Sequence, residues 1–406
     1  MTTYTRPFCL STAGSTRATA YNFGNKVVTL NGKTHVVWLD AVSRVCGRTY
    51  DHASGSWGDT VPLFEGYDNH TNPSLAADAD SRLHLAYGPH GWFNWNGGCF
   101  KHVISTEPDS LDAWENEVSL GYNATYACLA TTPSGLDCIV YRGGDPPSQL
   151  MFQRQRSLGG WEPARGLMRQ EIPPQYTNVG ATVVCDPDGV LFAAGHFFNL
   201  NTDARSAGVA ILKSIDMGET WTDLSGEGTD VPILLTERFA VPHKGEGDVR
   251  LAGLSLDRNN RPWVATTTKG CAQVSYWTGS EWDAHDLGQF LPQDRIAEAG
   301  PIVVDTANRL HMATAMNLPA GDEKPWGHPN REVFHLVSSD GGQTFECNRV
   351  STPDDRLANW LPSISQSGVH QPVENPTILY THGVPGKGCL PPDTTEVYAV
   401  FVDTHN

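Results

Sequence analysis

The chain has 406 residues, and its 28 Lys and Arg residues against 45 Asp and Glu residues give a net charge of −17. An acidic surface without a basic stripe argues against nucleic acid and anionic membrane as partners. Hydrophobic residues make up 39% of the chain and charged residues 18%, which excludes a disordered protein. No apolar run reaches the roughly 18 residues that a membrane-spanning helix needs.

The counts of 40 Gly, 27 Pro and 12 Trp predict short strands and tight turns rather than helices. The polar N-terminal segment has no apolar h-region, so we expect no signal peptide in this sequence. A mature secreted protein looks the same, and we expect an extracellular location. The nine cysteines show no C-x-x-C spacing, so free thiols in strands and disulfides both stay open.

One pattern recurs along the chain: an apolar strand, a turn of Asp, Asn or Gly, and a second apolar strand. Seven copies are found, the last of them looser than the others, at 25–39, 72–88, 125–143, 178–195, 250–268, 300–316 and 361–383. Their spacing of about 58 residues is ample for four short strands and their turns.

A second mark, the Asp-box turn, follows two of these copies. The segments 214–221 and 338–345 both read S-x-D-x-G-x-T-aromatic. In such a turn the Asp accepts backbone N–H bonds, the Gly takes a positive φ, and the aromatic ring packs between neighbouring sheets. We therefore interpret Asp216 and Asp340 as structural residues and not as catalysts.

Seven four-stranded repeats with an aromatic turn mark predict an all-β fold, a seven-bladed β-propeller with antiparallel blades, as a single domain over 1–406. A pair of β-sandwiches is the alternative, and the regular spacing disfavours it. The C-terminal segment 397–402 is expected to be a strand that closes one blade together with the N-terminus.

The propeller topology places candidate site residues on one face, because the first strand of each blade starts where the second strand ends. His70, Tyr126, Tyr176 and Arg250 precede first strands, and His90, Arg142 and His196 follow second strands, with Arg205 on the loop after His196. Converging titratable and aromatic groups predict a binding or active site. Trp92 and Trp95 follow His90. The sequence does not decide whether these two rings stack on sugar rings or pack at a blade edge.

Other histidines have weaker signals. His35, His84 and His311 take equivalent positions in second strands and are interpreted as structural, and His102 lies in an outer strand without a signal. No H-E-x-x-H or C-x-x-C spacing marks a metal site, although ligands that converge in space stay open. No nucleotide-binding motif is found.

The segments around His70 and His90, twenty positions apart, and around Tyr126 and Arg142, sixteen apart, resemble the BNR-repeat propellers of the polysaccharide-lyase kind. That group includes ulvan lyases and L-rhamnose-α-1,4-D-glucuronate lyases that act on gum arabic and arabinogalactan side chains. The resemblance is strongest over 67–214. It implies β-elimination at a uronic acid, with His70, His90, Tyr126 and Arg142 as catalytic residues.

The resemblance also implies that Tyr176 contacts substrate, and we expect His196, Arg205, Arg250, Trp92 and Trp95 to bind it as well. Elimination needs a base near C5, a positive charge on the carboxylate and an acid at the 4-oxygen, which His, Arg and Tyr supply. Which of His70 and His90 is the base stays open.

We expect a monomeric carbon–oxygen lyase whose partner is an anionic polysaccharide of rhamnose and glucuronate. The preferred reaction releases terminal rhamnose from gum arabic, and the alternatives are an ulvan lyase, a rhamnosidase and a non-catalytic lectin. The chemistry requires no cofactor. The resemblance implies a structural Ca²⁺ in the propeller channel, and the sequence does not identify any other metal.

Overall fold

The computed structural model describes residues 2–42, 44–65, 68–88, 100–121, 124–143, 149–169, 180–197, 208–319, 327–384 and 394–404, without the side chain of residue 197. All regular structure in this part of the chain is β. It holds no helical stretch with the length and hydropathy that a bilayer crossing requires.

Thirty-one strands follow one another in the described part of the chain. The first eleven, in chain order, are β1 (Thr3–Tyr4), β2 (Phe8–Gly14), β3 (Val27–Leu30), β4 (Lys33–Leu39), β5 (Val45–Asp51), β6 (Ser56–Trp57), β7 (Val61–Phe64), β8 (Ser74–Ala77), β9 (Leu83–Tyr87), β10 (Phe100–Ser105) and β11 (Trp114–Leu120). The next nine are β12 (Thr125–Thr131), β13 (Asp137–Gly143), β14 (Gln149–Arg154), β15 (Arg165–Arg169), β16 (Ala181–Cys185), β17 (Leu191–Phe197), β18 (Gly208–Ser214), β19 (Trp221–Thr222) and β20 (Gly228–Thr229). The last eleven are β21 (Arg250–Leu256), β22 (Pro262–Thr268), β23 (Cys271–Trp277), β24 (Trp282–Asp286), β25 (Ile302–Val304), β26 (Leu310–Met316), β27 (Glu332–Ser338), β28 (Glu346–Arg349), β29 (Ala358–Ile364), β30 (Thr377–Gly383) and β31 (Thr395–Asp403).

These strands form seven antiparallel sheets, and the prediction of a seven-bladed β-propeller is confirmed. Blades 1 to 6 begin at β3, β8, β12, β16, β21 and β25, and each runs outward in sequence order. Every predicted copy coincides with the two inner strands of one blade. The pair of β-sandwiches is thereby excluded.

Blade 7 joins the two ends of the chain. Its strands β29, β30 and β31 come from the C-terminal part, and β31 also pairs with β2 and β1 from the N-terminal part. The register places Phe8 opposite Ala399 and Thr3 opposite Asp403. The predicted strand 397–402 is the middle of β31.

The Asp-box turns have the structural role predicted for them. The Asp216 carboxylate accepts the Thr220 N–H at 2.9 Å and the Thr220 hydroxyl at 2.6 Å, and Asp340 makes the same two bonds to Thr344. Trp221, which closes the first turn, is 1% exposed. Its ring meets Phe152 of blade 3 edge-on with centroids 5.3 Å apart, so the aromatic mark packs between blades.

The cysteines are free thiols in the described part of the chain. This holds for Cys9, Cys46, Cys128, Cys138, Cys185, Cys271 and Cys347, whereas Cys99 and Cys389 lie outside the described residues. Cys128 and Cys138 are fully buried within strands of blade 3. The sequence left free thiols and disulfides open, and these seven cysteines are free thiols.

Candidate functional site

Tyr126 and Arg142 meet at one face of blade 3. Thr125, at the start of β12, pairs with Arg142 near the end of β13, and the ladder is irregular between Thr125 and Cys128. Within this irregularity Tyr126 has a φ of +59°, a backbone conformation that is uncommon for a bulky residue and that re-aims the side chain. The guanidinium carbon of Arg142 lies 4.8 Å from the centroid of the Tyr126 ring. The two predicted residues therefore form one cation–π pair.

His70 precedes β8 in a turn that Asp68 organises. The Asp68 carboxylate accepts the backbone N–H of His70 at 2.8 Å, and its Oδ1 lies 4.0 Å from Nδ1 of the ring. Nε2 of His70 contacts the guanidinium of Arg17. Because guanidinium only donates hydrogen bonds, Nε2 accepts here, and the neutral ring carries its proton on Nδ1. Burial raises the pKa of Asp68.

Arg17 and Tyr21 complete this group and were missed from the sequence. Arg17 also contacts the Tyr21 hydroxyl. The Tyr21 ring centroid lies 4.7 Å from that of Tyr126 and 6.0 Å from that of His70. Both residues precede the first strand of blade 1. The rule that selected His70 and Tyr126 selects them too, once it is applied to the segment before the first repeat.

Lys26 and Asn72 hold these segments together. The Lys26 ammonium donates to the carbonyl oxygens of Tyr21 at 2.6 Å and Gly24 at 3.0 Å, and to Oδ1 of Asn72 at 2.9 Å. Asn72 also accepts the backbone N–H of Tyr21 and donates to the carbonyl of Ala127. One buried ammonium and one amide thus fix the positions of the Arg17–Tyr21 loop, the His70 turn and the start of β12. Burial lowers the pKa of Lys26 to about 7.

Beside this group lies a cavity of about 210 Å³ at the same face, walled by blades 4 to 7 and the Tyr21–Phe23 loop. Among the described residues, its charged lining consists of Arg250, Arg331 and Glu298. Glu298 and Arg331 form an ion pair, while the half-exposed side chain of Arg250 lies 3.5 Å from Asp248. The Tyr21–Phe23 loop that lines the cavity also contacts Tyr126, so the cavity adjoins the catalytic candidates.

His196 forms part of the cavity wall and is 2% exposed. Backbone N–H groups of Gly180 and Leu251 point at its ring nitrogens at 3.4 Å. Burial, with a smaller contribution from Arg250, lowers the pKa of His196 to about 3. The ring is therefore neutral near pH 7. Phe23 lies between His196 and the catalytic candidates, with its ring centroid 5.9 Å from that of His196 and 6.0 Å from that of Tyr126.

Five predicted site residues, His90, Trp92, Trp95, Tyr176 and Arg205, lie outside the described residues. The roles assigned to them stay predictions. Among the described residues, the structure brings His70, Tyr126 and Arg142 together and places His196 and Arg250 around the adjacent cavity. The guanidinium groups of Arg17, Arg142 and Arg250 supply the local positive charge that an acidic protein needs to bind an anion.

The channel residues fit the predicted Ca²⁺ poorly. At the mouth, the Lys26 ammonium already takes the carbonyl and amide oxygens. At the opposite end, a cavity of about 20 Å³ is lined by neutral polar groups, among them Asn25, Gln366 and Gln371, and no described carboxylate lines it. Ca²⁺ prefers several carboxylate and carbonyl oxygens. The ion stays a prediction, and no step of the chemistry below depends on it.

Comparisons with known proteins point to one group of enzymes. No family model matches the chain. An ulvan lyase of family PL25 from Pseudoalteromonas sp. (strain PLSV) is 22% identical over 334 residues, which cover 70% of this chain and 67% of that protein. An ulvan lyase from Alteromonas sp. (strain LOR) is 25% identical over 150 residues, which cover 32% of this chain and 30% of the relative.

Solved structures share the whole propeller. A PL25 ulvan lyase bound to -[GlcA(1-4)Rha3S]- superposes with a TM-score of 0.70 at 16% identity, covering 96% of this chain and 98% of the other. The polysaccharide lyase Uly1 gives a TM-score of 0.60 at 13% identity, covering 98% of both chains. At these identities the likeness establishes the fold.

Proposed function

We propose that this chain is a polysaccharide lyase that cleaves a sulfated rhamnose–glucuronate polymer of the ulvan type by β-elimination. The observation that carries the proposal is the meeting of His70, Tyr126 and Arg142, with Arg17 and Tyr21, at the mouth of the propeller. Support for the polymer comes from the relatives, since the proteins matched in sequence are ulvan lyases.

The proposed reaction is balanced without a cofactor. A base removes the C5 proton of the glucuronate, the C4–O bond breaks, a C4=C5 double bond forms, and an acid protonates the leaving oxygen. The negative charge that develops on the carboxylate needs cationic donors close by, and Arg142 and Arg17 are the described groups that supply them. Tyr126 and His70 are the described candidates for proton transfer, each step contributing a factor of about 10²–10⁴.

The preference for ulvan changes the expectation drawn from the sequence, which favoured release of terminal rhamnose from gum arabic. That expectation depended on positive charge confined to a pocket of an acidic protein, and on a compact chain without an evident carbohydrate-binding module. The structure shows guanidinium groups concentrated around one face, together with an adjacent cavity. Local positive charge fits an anionic sugar of either polymer, and the preference for ulvan comes from the relatives.

Hydrolysis is the less supported reaction. Most glycoside hydrolases use two carboxyl groups flanking the bond, although propeller rhamnosidases resemble a His-based case. Among the described residues of this face, Glu298 is engaged by Arg331 and Asp68 is engaged by the backbone of its own turn. The lectin alternative is less supported as well, because the polar groups of the mouth differ from blade to blade. Secretion and a monomeric state remain part of the proposal.

The test is ultraviolet absorbance of the conjugated double bond during incubation with ulvan, with gum arabic in parallel and released sugars followed by chromatography. Rising absorbance with ulvan is the expected result. If absorbance rises only with gum arabic and free rhamnose is released, the enzyme is a lyase that cleaves the terminal rhamnose–glucuronate linkage instead. New reducing ends without a rise in absorbance would mean hydrolysis. No activity on either polymer would favour the non-catalytic lectin.

Variants connect that activity to the site. His70→Ala and Tyr126→Phe are each expected to lower kcat by about 10²-fold or more. His52→Ala is a matched control, because His52 lies on the outer part of blade 1 and bonds Thr34. If both site variants keep wild-type turnover, the catalytic assignment is wrong even where the lyase activity is real.

A further inference from the structure

We propose that His84, His102 and Asp137 form a transition-metal site, suited best to Zn²⁺, between blades 2 and 3. The ligand atoms of the three side chains all lie within 4.8 Å of one another. His84 comes from β9, His102 from β10 and Asp137 from β13, and the three residues are 2%, 1% and 0% exposed.

The three side chains converge on one oxygen. Oδ2 of Asp137 lies 2.5 Å from Nδ1 of His84 and 2.7 Å from Nε2 of His102. The other oxygen of Asp137 is turned away, since it accepts the hydroxyl of Thr131 at 2.9 Å. Ligand atoms around a tetrahedral Zn²⁺ lie roughly 3.4 Å apart, so opening these two contacts by less than about 1 Å makes room for the ion.

Asp78 sets the orientation of the His84 ring by contacting the nitrogen that faces away from Asp137. Its Nε2 lies 3.1 Å from Oδ2 of Asp78, which leaves Nδ1 facing Asp137. A carboxylate that holds the far nitrogen of a ligating His is the usual support of a zinc site, because it fixes the tautomer and the direction of the lone pair.

His102 provides the independent observation. Neither of its ring nitrogens has an aligned hydrogen-bond partner among the described residues, although the ring is almost fully buried. The 2.7 Å approach to Asp137 therefore lacks hydrogen-bond alignment. Buried polar atoms are rarely left in this state, and an ion is one of the recognised explanations.

Blade 6 offers an internal comparison. There the turn residue Asp305 holds Nε2 of His311 at 3.1 Å, as Asp78 holds His84. The second imidazole, His335, bonds His311 directly at 3.1 Å and Tyr4 at 3.0 Å. The Asp-to-His contact within a blade is thus a repeated structural feature, as predicted for His84 and His311. What distinguishes blade 2 is the carboxylate that blade 3 contributes.

The donor set selects the metal. Two imidazoles and one carboxylate suit Zn²⁺ and other late first-row ions, whereas Ca²⁺ and Mg²⁺ prefer oxygen ligands alone. A divalent ion also supplies two positive charges between the carboxylates of Asp78 and Asp137. Bound there, it would cross-link the two blades that carry His70 on one side and Tyr126 with Arg142 on the other.

The experiment uses the full chain. Because the ligands are buried, the protein is unfolded with a chelator and refolded with Zn²⁺, with Co²⁺ or without metal, and then dialysed. We expect one Zn²⁺ per chain by elemental analysis, the visible spectrum of tetrahedral Co²⁺, and a higher Tm for the metal-refolded protein. Metal content and Tm do not depend on the proposed lyase activity.

Three variants decide the ligands. His102→Phe keeps an aromatic ring against Trp161 and should abolish stoichiometric binding, and Asp78→Asn should weaken affinity by about 10–100-fold. His335→Phe, the matched change in blade 6, should still bind one ion. The proposal is overturned if the wild-type protein refolds without metal uptake or if His102→Phe binds as much as the wild-type chain. Circular dichroism checks that each variant is folded.

Discussion

Arg17 fixes the tautomer of His70. Its guanidinium contacts both Nε2 of His70 and the hydroxyl of Tyr21, so it fixes one tautomer of the imidazole and the position of the phenol at once. Arginine suits this place because it stays protonated and presents several donors in a rigid plane. In the proposed reaction, Arg17 would also present N–H donors to the carboxylate of the sugar.

Replacing Arg17 tests this role. We expect Arg17→Ala to lower kcat/KM on ulvan by up to about a hundredfold, because reacting groups lose their alignment, and Arg17→Lys to recover only part of the loss. The pH profile of kcat/KM should shift as well. This readout distinguishes the role from a purely structural one, which would change Tm alone. Arg48→Ala, which removes contacts to the carbonyls of Gly58 and Leu10, is the control. A rate within twofold of wild type for Arg17→Ala would contradict the role.

His196 makes stability depend on pH. Its pKa is about 3 in the folded chain against an ordinary value of 6.5, so the unfolded chain binds more protons between these values. Stability is then fully present above pH 6.5 and falls as the pH drops toward 3, by on the order of 3 kcal/mol at pH 4. His196→Gln keeps an acceptor for the backbone N–H groups and should flatten this fall in urea unfolding. His243→Gln, at an exposed position, should leave the slope unchanged.

At the scale of the element, the Asp-box turn shows how a carboxylate replaces backbone hydrogen bonds. Oδ1 of Asp340 accepts N–H groups of Gln343 and Thr344, and the hydroxyl of Ser338 donates to it at 2.8 Å. Bonding by the Thr344 hydroxyl and N–H groups lowers the pKa of Asp340 to about 2. The turn delivers Phe345 to the space between blades 5 and 6, where it contacts Phe290.

Asp340→Ala is therefore expected to lower the free energy of unfolding by about 1 kcal/mol, at the low end for a charged hydrogen bond because the group is exposed. The contribution of Asp340 is present above pH 3.8 and is lost as the pH falls toward 2. Thermal unfolding at pH 7 and at pH 2.5 measures both statements. Asp59→Ala, at another exposed aspartate, serves as control, and equal losses for the two variants would refute the turn's importance.

The elements that repeat were predictable, whereas contacts between blades were not. The paired strands and Asp boxes carry local sequence patterns, so the number of copies predicted the ring, and the pairing of two strands within blade 3 brought Tyr126 to Arg142. Arg17 lies in the loop that precedes the first copy, and Lys26 lies within that copy at a position without a chemical signal. His102 gave no signal, because the residue that explains it, Asp137, belongs to the next blade.

For the molecule as a whole, stability depends on the closure of blade 7. Removing 395–406 deletes β31 and leaves β30 and β2 without their shared partner. We expect this truncated chain to lose the cooperative unfolding transition and to aggregate, because the open ring exposes apolar strand edges. Removing only 405–406 spares β31 and should leave Tm within a few degrees. Calorimetry compares the two, and a cooperative transition in the longer deletion would contradict the dependence on closure.

The same strand order constrains how the protein folds during its synthesis on the ribosome. The partner of strand β2, strand β31, emerges about 380 residues after it, which at about 5–20 residues per second takes roughly 20 to 80 s. During that interval the nascent chain carries an unpaired edge at each end of a growing arc of blades. Chaperone supply and slow translation should therefore affect the yield of this protein more than the stability of any single blade does.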